Sequence, residues 1–230
     1  SKFVKLIKKN YKFEKSYRNE KIFNLIHKKI KKNQLNDFRL KIINQINKDE
    51  NCRYSYFKVT KPHLEAIVGN ELVMQKKINL SIQLPEDRNS LLPVHSDVWS
   101  GDSPFEAVVW LPLVNCFKTK SMYILPANLI NKFNKKISKK NYQNSEKVFQ
   151  LIKRKVKWIK INYGQVLIFN QSLPHGNRVN RETETRWSIN CRFKNIFSPY
   201  GDKKIGEFFE PITLRAASEM GLKYKLPKMK

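Results

Sequence analysis

Lys77-Ile-Asn-Leu-Ser-Ile-Gln-Leu84 is where the chain changes period. Ile78, Leu80, Ile82 and Leu84 fall on alternate positions, the signature of a half-buried strand, and Pro85 ends the run. Upstream, the apolar residues Ile22, Leu25, Ile26 and Ile30, then Phe38, Ile42, Ile43 and Ile46, recur at helical spacing. Lys31-Lys-Asn-Gln34 divides them into two predicted helices, and Ser55–Leu64 reads as irregular, with Pro62 as a breaker. Downstream, Leu92–Val98 is short and extended. Strand-like runs follow at Phe105–Val114, Ser121–Leu125, Lys157–Asn162, Gln165–Asn170 and Thr185–Phe193. Helical spacing returns over Asn141–Lys155 and near Ile212–Glu219.

Helices followed by many short strands with Pro and Gly turns predict a mainly β (α+β) fold, a double-stranded β-helix or jelly roll with N-terminal and flanking helices. A chain of 230 residues suits one domain: a helical part at about 1–65, a core at about 77–195 and a C-terminal extension at about 196–230. No Gly-x-Gly-x-x-Gly follows a strand, which excludes a Rossmann reading.

Hydrophobic residues make up 40% of the chain, enough for a core, and runs such as Ala107–Val114 are too short to span a bilayer as a helix. The first residues show neither a long apolar stretch nor a small-residue cleavage site, so no signal peptide is expected. Three widely spaced cysteines, Cys52, Cys116 and Cys191, make neither a disulfide framework nor a zinc ribbon, and point to a reducing cytoplasm.

The formal net charge of +27 raises the question of a polyanionic partner. Its distribution argues against one at the site. Residues 1–62 carry 18 Lys+Arg against 5 Asp+Glu, and residues 131–160 carry 11 against 1. Residues 78–115 carry only Arg88 against Glu86, Asp87, Asp97, Asp102 and Glu106. A solvated basic surface is the simpler expectation; an anionic substrate or nucleic acid is the other, the latter without any recognisable groove-reading motif.

The chemistry concentrates in three residues. His95 and Asp97 are spaced by one, so an extended backbone puts both on one face. The segment Gly164-Gln-Val-Leu-Ile-Phe-Asn-Gln-Ser-Leu-Pro-His-Gly176 is a strand that delivers His175 into a turn. Two imidazoles and one carboxylate form a facial triad that leaves positions open on a divalent ion, the ligand set of non-haem iron(II) oxygenases. Alternation over Thr185–Phe193 puts Arg186, Ser188, Asn190 and Arg192 on one face and Trp187, Ile189, Cys191 and Phe193 on the other. Such a strand suits the wall of a polar cavity.

His95-x-Asp97, His175 and Arg186-x-Ser188 together resemble the motif of the Fe(II)/2-oxoglutarate-dependent oxygenases. Leu92–Glu106, Lys120–Pro126 and Phe197–Asp202 are similar to a subfamily found sporadically in bacterial carbohydrate-biosynthesis clusters. The resemblance implies that His95, Asp97 and His175 bind iron(II), and that 2-oxoglutarate chelates the metal while its far carboxylate meets Arg186 and Ser188. Oxygen would be the third reactant. Decarboxylation to succinate and carbon dioxide would accompany hydroxylation of an unactivated C–H bond of a small molecule such as a sugar or nucleotide-linked sugar. The presence of Asp97 argues against a related halogenase.

Gln83, Trp99, Tyr123, Asn190 and Arg192 are candidate substrate contacts, Arg192 alternatively pairing with a core carboxylate. Asn128–Lys140, rich in Lys and Asn, is a candidate lid. Three other classes compete with the small-molecule oxygenase. They are an oxygenase that demethylates or hydroxylates nucleic acid or protein, a metal-independent jelly-roll sugar epimerase, and a binding module that keeps the fold alone. The oligomeric state stays open.

Overall fold

A computed structural model describes residues 2–13, 17–137 and 144–227. The N-terminal third is helical: α1 (Lys2–Asn10), α2 (Asn19–Asn24), α3 (Leu35–Asn47) and α4 (Glu50–Ile67). Then come β1 (Leu72–Gln75), β2 (Asn79–Gln83), β3 (Ala107–Pro112) and β4 (Tyr123–Ile124). Two short helices follow, α5 (Ile130–Asn134) and α6 (Ser145–Ile152). The chain continues through β5 (Lys157–Trp158), β6 (Leu167–Asn170), β7 (His175–Gly176), β8 (Arg186–Asn195) and β9 (Phe209–Thr213), and α7 (Ala216–Lys223) follows.

All strand pairing within the two sheets is antiparallel. The larger sheet has six strands in the order β6-β3-β8-β1-β9, with β2 also on β8; the smaller runs β5-β4-β7. The ten-residue β8 organises the larger sheet. One edge carries β3; the other carries β2 beside its first half and β1 beside its second.

The two faces of β8 differ as alternation requires. Trp187, Cys191 and Phe193 have no solvent exposure and Ile189 has 5%. They face the helices: Trp187 lies 5.0 Å from Phe23 and 5.9 Å from Phe38 between ring centroids, and Phe193 meets Tyr56 and Phe57. The Trp187 indole N–H donates to the Phe23 carbonyl at 3.0 Å, so this large residue is buried without an unmet donor. Trp187→Ala is expected to cost about 3–5 kcal/mol, read as a lower denaturant midpoint in the metal-free protein.

Three sequence expectations need correction. Ser55–Leu64 is not irregular but lies inside α4, whose buried residues Tyr56, Phe57, Thr60 and Leu64 keep helical spacing. Pro62 is tolerated because it and Lys58, whose carbonyl loses its helical donor, both face solvent, where water can serve that carbonyl. Ile212 belongs to β9, and the helix begins only at Ala216. The strand core is wider than 77–195, since β1 and β9 pair with each other and β1 also with β8.

The predicted helix at Asn141–Lys155 is seen as Ser145–Ile152, its first three residues lying outside the described ones. Asn144 caps it, its side chain accepting from the Lys147 amide at 3.0 Å. Cys116 and Cys191 are buried, and burial pushes their thiols up to about 11 and about 12, so both are inert. Among the described residues, no helix is long and apolar enough to cross a membrane.

Candidate metal centre

The site joins the two sheets. His175 sits in β7 of the smaller sheet, where it pairs with Ile124. On its other side it forms an isolated antiparallel bridge with His95, amide to carbonyl at 3.0 and 2.8 Å in the two directions. The Asp97 amide donates to the Gln171 carbonyl at 3.1 Å, and Ser96 Oγ donates to the Ser172 carbonyl at 2.9 Å. Backbone bonding thus fastens the His95–Asp97 segment to the strand that carries the distant histidine. Ser96 is extended (φ −128°, ψ 131°), which keeps His95 and Asp97 on one side although Asp97 opens a 3-10 turn.

Gly176 is required beside His175 for space. A Cβ there would stand 2.8 Å from the Leu92 carbonyl oxygen, 2.8 Å from the Tyr123 hydroxyl and 3.0 Å from the Pro93 carbonyl oxygen.

One ligand atom from each of His95, Asp97 and His175 lies within 4.8 Å of the others. His95 Nδ1 meets the Pro93 carbonyl and His175 Nδ1 the Leu173 carbonyl, each at 2.8 Å. A carbonyl can only accept, so Nδ1 carries the proton in both rings and Nε2 is left with its lone pair. That is the tautomer a metal ligand needs, set by the second hydrogen bond of each ring. Burial, and then the neighbouring His95, hold His175 well below the usual histidine value, at about 4, so it is neutral and able to ligate at physiological pH. The donor set fits a divalent ion with open positions.

A cavity of about 380 Å³ opens on these residues. Its far wall is the polar face of β8: Arg186, Ser188, Asn190 and Arg192. Arg186 is buried at 3% exposure. Its Nη2 donates to Ser81 Oγ at 2.9 Å and its Nη1 to the Ser121 carbonyl at 3.3 Å, while Nε has no partner among the described residues. No carboxylate pairs with it among the described residues, and burial alone pulls the guanidinium down from its usual value to about 10. Ser188 Oγ, two residues along, also lacks a hydrogen-bond partner among the described residues. A buried cation without an anion is costly. This arrangement fits an anion with acceptor oxygens, and 2-oxoglutarate carries such a carboxylate.

The other candidates divide. Asn190 lines the cavity. Arg192 lines it too, but its guanidinium serves acids, Asp97 at 3.2 Å and Asp102 at 2.6 Å. Gln83 lies opposite Arg186 in register, yet stays below the cavity, its Nε2 bonded to the Arg178 carbonyl at 2.6 Å. Tyr123 is fully buried outside the cavity lining, against Phe149 and Trp158. Trp99 turns away to a second apolar cluster, 6.1 Å from the Phe133 ring. The same cluster anchors the described part of the candidate lid, through Leu129, Ile130, Phe133 and Ile137, and none of these four lines the cavity.

Asn79 and Ser81 line the cavity and were missed. They share the face of Gln83 by alternation, pairing with Asn190 and Ser188, so the strand period could have found them. Asn177, another lining residue, binds the Leu92 amide through Oδ1 at 2.7 Å and had no signal beyond its place after Gly176.

No protein-family profile and no curated protein sequence matches this chain. Similar solved structures are non-haem enzymes. One is the non-haem monooxygenase ThoJ in complex with nickel: 14% identity, TM-score 0.47, covering 66% of this chain and 56% of ThoJ. Another is SnoK, a non-haem α-ketoglutarate-dependent carbocyclase from nogalamycin biosynthesis: 15% identity, TM-score 0.46, 69% and 70% covered. A third is HygX from Streptomyces hygroscopicus, with nickel, 2-oxoglutarate and hygromycin B bound: 13% identity, TM-score 0.47, 72% and 68% covered. The chain spans a little over half the length of ThoJ. These likenesses are partial ones of fold, and the site is argued from the side chains above.

Proposed function

We propose that this protein is an Fe(II)- and 2-oxoglutarate-dependent oxygenase that hydroxylates a small molecule, such as a sugar, and that its two sheets are the walls of a double-stranded β-helix. One observation carries the reading: the His95–Asp97–His175 triad opens into the same cavity as a buried guanidinium that, among the described residues, has no acid to pair with.

His95, Asp97 and His175 would hold the metal, and Arg186 with Ser188 the far carboxylate of 2-oxoglutarate. The metal and cosubstrate supply oxygen activation coupled to decarboxylation of the keto acid. The chain's own residues bind, orient and desolvate. The fixed Nδ1–H bonds aim both imidazoles, and the guanidinium orients the cosubstrate along the cavity. The apolar side chains of Val108, Met122 and Phe169 line the space where water must be excluded. Asn79 and Asn190 are left to contact the substrate.

A metal-independent epimerase gains no support from the site, because it has no use for an unpaired buried Arg186, and Tyr123 lies outside the cavity. The test is an anaerobic titration of metal-free protein with Fe(II) and then 2-oxoglutarate, followed by visible absorption. A weak charge-transfer band on adding the keto acid is expected. Metal binding without any band, at saturating 2-oxoglutarate, would sink the cosubstrate assignment.

A further inference from the structure

Two loops singled out in the sequence, Leu92–Glu106 and Phe197–Asp202, meet beside the metal centre. Their contact is close enough to demand glycine: a Cβ on Gly201 would stand 2.1 Å from the Gly101 carbonyl oxygen and 2.8 Å from the Ser103 amide nitrogen. The Asp202 amide donates to the Gly101 carbonyl at 2.9 Å, and Ser103 Oγ to the Pro199 carbonyl at 2.5 Å. Lys194, fully buried at the end of β8, donates to the Ser198 and Pro199 carbonyls at 2.9 and 2.6 Å.

This seam holds a chain of charges that ends on a metal ligand. Lys203 Nζ and Arg192 Nη1 each reach Asp102 Oδ2 at 2.6 Å. Glu106 Oε2 lies 3.7 Å from the same Arg192 nitrogen. The other arm of the fork, Nη2, lies 3.2 Å from Asp97 Oδ2. Asp97 Oδ1 points the other way, 3.6 Å from His95 Nε2.

We propose that Arg192 is a positioning residue for the metal-binding carboxylate, held in place by Asp102 and the 197–203 loop. The inference rests on the metal reading above. A free carboxylate can grip an ion with both oxygens and fill two coordination positions. With Oδ2 held by Arg192, Asp97 offers Oδ1 alone. That keeps the remaining positions open for cosubstrate and oxygen, which the proposed chemistry requires. The planar fork matters, because it reaches two carboxylates at once, as a lysine ammonium at this position would not.

A purely structural ion pair would stabilise the fold and leave the metal indifferent to its loss. The two roles separate by titrating metal-free protein with Co(II) alone, anaerobically, and following its visible d–d absorption beside circular dichroism and thermal melting. The variants are Arg192→Gln, Arg192→Lys and the double variant Arg192→Gln/Asp102→Asn, which leaves no orphaned Asp102 charge. Loss of such an outer partner weakens metal binding about 10- to 100-fold, and that loss is expected for Arg192→Gln and for the double variant, with an altered spectrum. Arg192→Lys is expected to recover part of the affinity but keep the altered spectrum.

A folded double variant with wild-type Co(II) affinity and spectrum overturns the proposal. If the inner variants misfold, Lys203→Gln carries the test from the solvent end of the chain of charges. It is expected to shift the spectrum, and an unchanged spectrum overturns the proposal. A wild type that takes up no Co(II) overturns the metal reading, and this one with it.

Discussion

His175→Ala is expected to lose metal binding by at least about 100-fold, and with it the absorption band that 2-oxoglutarate produces on the metal-loaded protein. Three donors are the minimum that the triad offers, and His175 is the one least replaceable by water. It is 6% exposed and lies between the His95 and Phe169 rings, at 4.3 and 5.0 Å between centroids. Truncation removes both ring contacts.

The metal-free variant is therefore expected to melt somewhat below the metal-free wild type. The larger effect lies in linkage: a ligand that binds only the folded state raises its stability in proportion to the logarithm of its concentration over Kd. The wild type is expected to melt progressively higher as Fe(II) is raised under nitrogen, and His175→Ala to show no rise. A variant that keeps the metal-dependent rise would show that His175 is not a ligand.

Arg186→Met is expected to separate stability from function in opposite directions. In the metal-free protein the guanidinium is buried with no acid beside it among the described residues, and burial lowers its pKa from 12.5 to about 10. Folding therefore disfavours the charged form at neutral pH, by something on the order of 3 kcal/mol. Methionine fills similar space without charge. It gives up the bonds to Ser81 and Ser121, yet replacement of a buried ionic group by an apolar one is often stabilising.

The metal-free variant is expected to melt a few degrees above the wild type, since about 1 kcal/mol moves the Tm of a chain this size by roughly 2–4 °C. Affinity for 2-oxoglutarate, measured in the presence of metal, is expected to fall by about 100-fold or more, because a buried carboxylate–guanidinium pair loses one partner. Affinity for the metal alone should stay as in the wild type. Equal 2-oxoglutarate affinity in both proteins would remove Arg186 from the cosubstrate site.

How much of this was legible in the sequence depends on the range of the interaction. The two-faced strand at β8 could be read directly, because alternation is a local property and its burial follows at Trp187, Ile189, Cys191 and Phe193. The helix across Pro62 could not. Its proline signals a break, and only the exposure of Pro62 and Lys58 explains why the helix continues. Tyr123 and Trp99 lie outside the cavity lining for a similar reason. An aromatic near the motif in sequence can be claimed by an apolar cluster on the far side of its own strand or turn, as both are here.

Strand geometry, which ties i to i+2 whatever the surroundings, put His95 with Asp97 and Arg186 with Ser188, and residue type with the family resemblance added the distant His175 as a candidate ligand. Tertiary structure decided what sequence distance conceals. It closed His95 onto His175 through paired backbone bonds and, among the described residues, left Arg186 without an acid. It also gave Arg192 to Asp97 and Asp102 rather than to the open cavity. The physical reason is that a charge is assigned by its nearest partners in space. Here those partners come from segments up to about a hundred residues apart, brought together only when the two sheets and the C-terminal loop are in place.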